Sequence, residues 1–232
     1  MRQAESPTDS PAIRVLVVED HTVVRQAFCL LLADARYGIE VVGEAGDGVE
    51  AVALAQALQP DVIVMDLLMP MMGGIEATQV ILRQNADARV LVLTSDENEV
   101  DALAAIRAGA MGFVPKRASV DELMHTIHSV ALDQLVVPRA LAARLVAAPP
   151  PDVSAALTPP VLTTRELEVL AGIVRGQSNR EIAHALNLST ATVRTHISHL
   201  LPKLGVANRT QAAINATALG LLEEKDERVR NI

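Results

Sequence analysis

Val62-Ile63-Val64-Met65-Asp66-Leu67-Leu68-Met69-Pro70, closed by Gly73-Gly74, is the stretch that decides the fold. Four apolar residues run into an aspartate, and a proline and two glycines then break the chain. Val15-Leu16-Val17-Val18 runs in the same way into Glu19-Asp20, and Val90-Leu91-Val92-Leu93 into Thr94-Ser95. Phe113-Val114 precedes Lys116. Unbroken apolar runs of this length are typical of parallel strands buried on both faces. In an open parallel sheet the carboxyl ends of the strands border one crevice. The pattern therefore brings Glu19, Asp20, Asp66, Thr94 and Lys116 to one edge.

Helical periodicity fills the intervals. Helices are expected over Val23–Leu32, Val49–Leu58, Ile75–Arg83 and Val100–Ala108, with a second strand over Glu40–Ala45. Ser119-Val120-Asp121-Glu122 reads as a capping box opening a fifth helix. Five βα units imply an α/β, doubly wound, five-stranded parallel sheet with right-handed crossovers.

Three carboxylates, a hydroxyl and an ammonium suit joint binding of a divalent cation and a phosphoryl group. Magnesium takes a few carboxylates, keeps waters and shares oxygens with phosphate. Asp66 is the candidate nucleophile, since carboxylates form aspartyl phosphates. Lys116 and Thr94 are the candidates to hold the transferred oxygens. With these positions in order, residues 13–132 resemble the receiver domain of two-component response regulators, a flavodoxin-like fold.

Composition limits the rest. The chain has 232 residues, half of them hydrophobic, but only two Phe, one Tyr and no Trp, so aliphatic side chains must fill the core. Base stacking on an aromatic sheet is thereby disfavoured. The single Cys29 excludes an internal disulfide framework and reads as a packed helix residue. No stretch reaches the roughly 18 apolar residues of a membrane span, so a soluble, cytoplasmic protein with no membrane partner is expected. Net charge is −8, unevenly spread. Residues 13–137 carry 18 Asp/Glu against 8 Lys/Arg, and residues 158–222 carry 6 Lys/Arg against 3 Asp/Glu. That asymmetry suits metal or phosphate chemistry in one half and a polyanion in the other.

Residues 133–160 read as a linker, with a short helix from Pro138 and prolines at 149–151 and 159–160. From residue 161 to 222 the pattern is helical. Thr163-Thr164-Arg165-Glu166 and Ser178-Asn179-Arg180-Glu181 are capping boxes, and Leu167, Leu170 and Val174 form the first helix's apolar stripe. Ser189 caps Thr190–Leu201, and Asn208 with Gln211 caps a last helix through Leu221. Two short helices joined at Asn187-Leu188 suggest a helix-turn-helix. Leu162-Thr163-x-Arg165-Glu166, Gly176-x-Ser178-Asn179-x-Glu181-Ile182-Ala183, Ser189-x-x-Thr192-Val193-x-Thr195-His196, Lys203-Leu204-Gly205 and Asn208-Arg209-Thr210-Gln211-Ala212 resemble the LuxR-type DNA-binding domain. Joined to a receiver, the chain resembles the NarL/FixJ class of response regulators.

Val193, Ile197 and Leu200 are placed to face the core of that domain. Arg194, Thr195, Ser198 and His199 then project outward, Arg194 toward guanine O6 and N7 and Thr195 toward a thymine methyl. Asn179, Arg180, Thr192 and Lys203 are placed for phosphates. His196 and His199 lack a third ligand for a metal site. Pro202 departs from the family pattern and either tightens the recognition helix or ends it a turn early.

The resemblance implies the remaining roles. Asp20 is a direct magnesium ligand, Glu19 a water-mediated one, and Asp66 and the Leu68 carbonyl complete the set. A sensor histidine kinase or a small acyl phosphate phosphorylates Asp66. Thr94 and Phe113 act as the switch, and Lys116 pairs with the phosphoryl oxygens. The output is a homodimer, paired through the last helix, on two half-sites of double-stranded DNA, with RNA polymerase a further candidate partner. Leu68 and Asp96 flank the path of hydrolytic water. No second constellation acts on a free substrate, so the chain reads as no enzyme beyond self-phosphorylation and autodephosphorylation at Asp66. The alternative is a phosphoryl sink or protein-binding adaptor with weakened DNA binding.

Overall fold

The computed structural model describes residues 11–94, 99–137, 162–206 and 208–218. The apolar runs form strands β1 (Ile13–Val18), β2 (Ile39–Ala45), β3 (Val62–Asp66), β4 (Val90–Thr94) and β5 (Gly112–Pro115). All neighbours are parallel, in the order β2-β1-β3-β4-β5. Helices α1 (Thr22–Leu32), α2 (Gly48–Leu58), α3 (Gly74–Gln84), α4 (Glu99–Ala108) and α5 (Val120–Ala131) cover the two faces. Each central strand buries both its sides, and two aliphatic clusters result. Leu16, Ile63, Met65 and Val92 pack with α2, α3 and α4, while Val15, Val17, Val64 and Leu93 pack with α1 and α5.

Register matters more than length here. Val18 pairs with Met65, Asp66 with Leu93 and Thr94 with Pro115, so β1, β3, β4 and β5 end nearly level. Strand order reverses between β1 and β3, and that reversal opens the crevice of a doubly wound sheet. Gly74 closes the approach of α3 to the end of β3. A Cβ at Gly74 would overlap the Asp66 carbonyl oxygen.

The second half is helical: α6 (Thr164–Val174), α7 (Asn179–Leu186), α8 (Thr190–Lys203) and α9 (Arg209–Ala218). Reciprocal capping boxes open α6 at Thr163/Glu166 and α7 at Ser178/Glu181, and the Ser189 hydroxyl accepts from Thr192 N at the start of α8. At α5 the expectation needs correcting. Ser119 accepts from Glu122 N, but the exposed Glu122 carboxylate does not return the bond, so the start is a single cap. The α6 stripe is also rotated. Val169, Leu170 and Ile173 are buried, while Leu167 and Val174 are half-buried, because α6 packs on both α8 and α9. Pro202 does not end α8 early. It sits exposed in the last turn, and Leu204 N–H still reaches the Leu200 carbonyl at 3.0 Å. Its cost is confined to one missing N–H beside water.

The two halves touch at the start of α9. Asn208 Nδ2 donates to the Ala108 carbonyl at 3.3 Å, Gln211 Nε2 to the Arg107 carbonyl at 2.8 Å, and the Thr210 hydroxyl lies 3.3–3.4 Å from the Gly109 and Ala110 carbonyls. Gly109 has φ +111°, and a Cβ there would overlap the Asn208 amide. Arg209 is held by Asn179 Oδ1 at 2.7 Å and by the Gln177 carbonyl. The short helix from Pro138, the Pro-rich linker, Ser95, Asp96 and the end of the last helix at Leu221 lie outside the described residues.

Candidate functional site: an acidic crevice and a polar helix face

The carboxyl ends of β1 and β3 carry three acidic side chains to the same sheet edge. Glu19 is fully buried and Asp66 nearly so, whereas Asp20 stands at the rim. Lys116, two residues beyond the Val114 of β5, reaches across the crevice. Its ammonium lies 2.6 Å from Glu19 Oε2 and 3.0 Å from Asp66 Oδ2. Asp66 Oδ1 accepts from Leu67 N at 2.8 Å. Thr94 ends β4 with its side chain buried. Phe113 is half-buried against the aliphatic cluster under α3 and α4. Leu68, just past the aspartate, is 67% exposed.

Burial pushes the Asp66 carboxyl above the usual carboxylate range, outweighing the Lys116 ammonium beside it, and Glu19 adds to the rise. Burial works to lower Lys116, but its bonds to Glu19 and Asp66 prevail and hold the ammonium above its ordinary value. Three carboxylates against one ammonium leave the crevice short of positive charge. A small divalent cation with oxygen preference matches that deficit.

The expected carboxylates do not all gather in one place. Ligating atoms of Glu19, Asp20 and His21 lie within 4.8 Å of one another, while Lys116 stands between Glu19 and Asp66. His21 escaped the sequence reading. Its Nδ1 is 2.8 Å from Asp20 Oδ1 and 3.3 Å from Glu19 Oε1, and its backbone N–H donates to Glu19 Oε1 at 3.3 Å. Its place directly after the acidic pair was the available signal. Cys29 is half-buried on α1, and burial together with Glu44 pushes its thiol up to about 11, which leaves it unreactive.

On α8, Val193, Ile197 and Leu200 are buried, and Arg194, Thr195, Ser198 and His199 are exposed. Arg180 is exposed at the start of α7, and the Thr192 hydroxyl is bonded to Ser189 at 2.8 Å. Two expected phosphate-contacting residues are engaged elsewhere. Asn179 is buried under Arg209. Lys203 bonds both oxygens of buried Glu166 at 2.6 and 2.7 Å, tying the end of α8 to the start of α6. The sequence showed Lys203 as a cation near a helix end, but not the carboxylate 37 residues earlier that it meets.

Residues 15–128 match the response regulator receiver domain, and residues 160–216 match the LuxR family of bacterial regulatory proteins. The transcriptional regulatory protein LiaR of Bacillus subtilis is 40% identical over 204 residues, covering 88% of this chain and 96% of that protein. The response regulator protein VraR of Staphylococcus aureus is 37% identical over 211 residues, covering 91% and 99%. A two-component response regulator of the LuxR family from Aurantimonas sp. SI85-9A1 superposes with a TM-score of 0.53 at 37% identity, covering 58% of this chain and 94% of that one. The RcsB–DNA complex shares the fold, with a TM-score of 0.52 at 22% identity over 90% and 99% of the two chains. An acidic crevice at the switch point of a five-stranded sheet, followed by a capped helix-turn-helix, thus agrees with relatives matched over nearly their whole length, and the chain belongs to the two-component response regulators of the NarL/FixJ class, a receiver joined to a LuxR-type DNA-binding domain.

Proposed function

We propose that this chain is a transcription regulator whose DNA binding is controlled by phosphorylation of Asp66. The observation that carries the reading is the meeting of Asp66, Glu19 and Lys116 within 3.0 Å contacts at one sheet edge. An Asp66 carboxylate oxygen attacks the phosphorus of a phosphohistidine on a sensor kinase, or of an acyl phosphate. The bond from phosphorus to the donor breaks, and the donor leaves with its electron pair. Magnesium, held by Asp20, Glu19, Asp66 and the Leu68 carbonyl, would neutralise charge on the phosphoryl oxygens. Lys116 moves from its bridge with Glu19 and Asp66 to those oxygens, and Thr94 closes on them with Phe113 following behind.

The output reading rests on α8 and α9. Arg194, Thr195, Ser198 and His199 face outward to enter the major groove, while Arg180 and Thr192 approach phosphates. Asn179 joins them only when Arg209 lets it go, and Lys203 serves mainly as the tie to Glu166. The docked start of α9 is the same helix that would pair two copies over two half-sites about one DNA turn apart. Phosphorylation would release that helix from the end of α4 and the residues that follow it. The regulator would act in the cytoplasm, with RNA polymerase a further partner; among the described residues no helix is long and apolar enough to cross a membrane.

The deciding experiment selects genomic fragments on the purified chain, with and without magnesium plus acetyl phosphate. Paired half-sites enriched only with the donor are expected. No enrichment in either condition, with Asp66 shown by mass spectrometry to be modified, would replace this reading with a phosphoryl sink or protein-binding adaptor.

A further inference from the structure

Arg25 stands one turn into α1, and its guanidinium folds back over the end of β1. Nη1 donates to the Glu19 carbonyl at 2.6 Å, and Nε donates to Glu44 Oε2 at 3.3 Å. The Arg25 side chain is 17% exposed. The Glu19 N–H is already fixed by the Ala45 carbonyl at 3.1 Å. Both backbone groups of Glu19 are therefore held from the β2 side, one by β2 itself and one by Arg25 leaning on Glu44. The carbonyl that Arg25 grips belongs to the peptide joining Glu19 to Asp20. Its orientation sets the direction in which Asp20 leaves the strand and the path on to His21.

We propose that Arg25 is a positioning residue for the divalent cation site, acting through the Glu19–Asp20 peptide without touching cation or phosphoryl group. The inference rests on the reading of Glu19 and Asp20 as cation ligands. Two rival roles predict different signs. If Arg25 acted only through its charge, a cation close to a cation site would repel, and its removal would tighten metal binding. If it served the fold alone, its removal would lower the melting midpoint and leave metal affinity unchanged. A positioning role requires weaker binding, because ligand groups freed from their outer supports lose their geometry.

The test titrates the full chain with Mn2+ alone, read by electron paramagnetic resonance, at a temperature where circular dichroism shows every variant folded. Arg25→Met is expected to weaken Mn2+ binding by about tenfold, the lower end of the range for outer supports. Arg25→Lys, which can grip one partner but not fork to two, should fall between it and the parent. Glu44→Gln leaves Arg25 in place but removes the charged half of its anchor, and a smaller weakening of about two- to threefold is expected. It keeps the test open if Arg25→Met fails to fold. Unchanged or tighter affinity in Arg25→Lys and Glu44→Gln would overturn the proposal. Asp20→Asn separates the two levels: if it binds Mn2+ as the parent does, the cation-site reading itself fails. If Asp20→Asn loses binding while the Arg25 and Glu44 variants keep it, only the role of Arg25 fails.

Discussion

Asp66 carries its negative charge at a cost to the fold. Its carboxyl is held above the usual range because burial outweighs Lys116, so ionisation is opposed in the folded chain and unopposed in the unfolded one. The sign follows from linkage. A raised carboxyl pKa means that stability falls as pH rises past the ordinary Asp value, and the loss is in place at neutral pH. Asp66→Asn should therefore raise the melting midpoint of the metal-free chain at pH 7. Scanning calorimetry at pH 7 measures it, and a fall would contradict the account. Glu166 behaves oppositely. Lys203, helped by the Thr163 backbone N–H, pulls its carboxyl down to about 2. The stabilisation it gives is complete above the ordinary Glu value of 4.5 and is lost as pH drops from there toward 2. Lys203→Met should cost the helical half about 1–3 kcal/mol at pH 7 by leaving a buried carboxylate short of its partner. The same change should flatten the acid limb of its unfolding curve below pH 4.5. Melting followed by circular dichroism between pH 2 and 7 checks both.

Among the elements, the loop after β3 is the one that, on the proposed function, would set the lifetime of a phosphoryl group on Asp66. Leu68 is two-thirds exposed two residues beyond Asp66, and on that reading its side chain would exclude attacking water. Leu68→Asn should speed dephosphorylation several-fold, measured by loss of label from the phosphorylated chain; a rate no faster than the parent removes Leu68 from this role. The strands themselves were legible, because a run such as Val62–Met65 has few other places to go than a sheet covered on both sides. Their level ends were legible for the same reason, and Asp66, Glu19, Thr94 and Lys116 came with them. Long-range partnerships were not. Nothing near Lys203 announces Glu166, and nothing near Asn179 announces Arg209, because such pairs are chosen by packing angles between helices and not by spacing along one. The stripe on α6 failed for a related cause. Periodicity finds an apolar face but cannot tell whether one neighbour or two will cover it.

At the scale of the molecule, a single glycine controls how the halves meet. A side chain at Gly109 would overlap Asn208, and its φ of +111° is one that alanine adopts only under strain. Gly109→Ala should undock α9 and leave the acidic crevice intact. Small-angle scattering of the unphosphorylated protein should show a larger radius of gyration than the parent, and Mn2+ affinity should be unchanged. On the functional reading above, the variant should also hold paired half-sites without acetyl phosphate, which a gel shift reports.

Asn208, Thr210 and Gln211 all end on the carbonyl oxygens of residues 107–110. A carbonyl has no residue identity, so this latch reads the path of the backbone at the end of α4 and just beyond it, and is blind to its spelling. Apart from the glycine, the latch itself makes no demand on the side chains there; Ala108 and Ala110 are constrained instead by their burial in the core of the first half. A small change in the path of the backbone would misalign all the oxygens together. The grip is thus brittle by construction, giving way as a unit and not contact by contact.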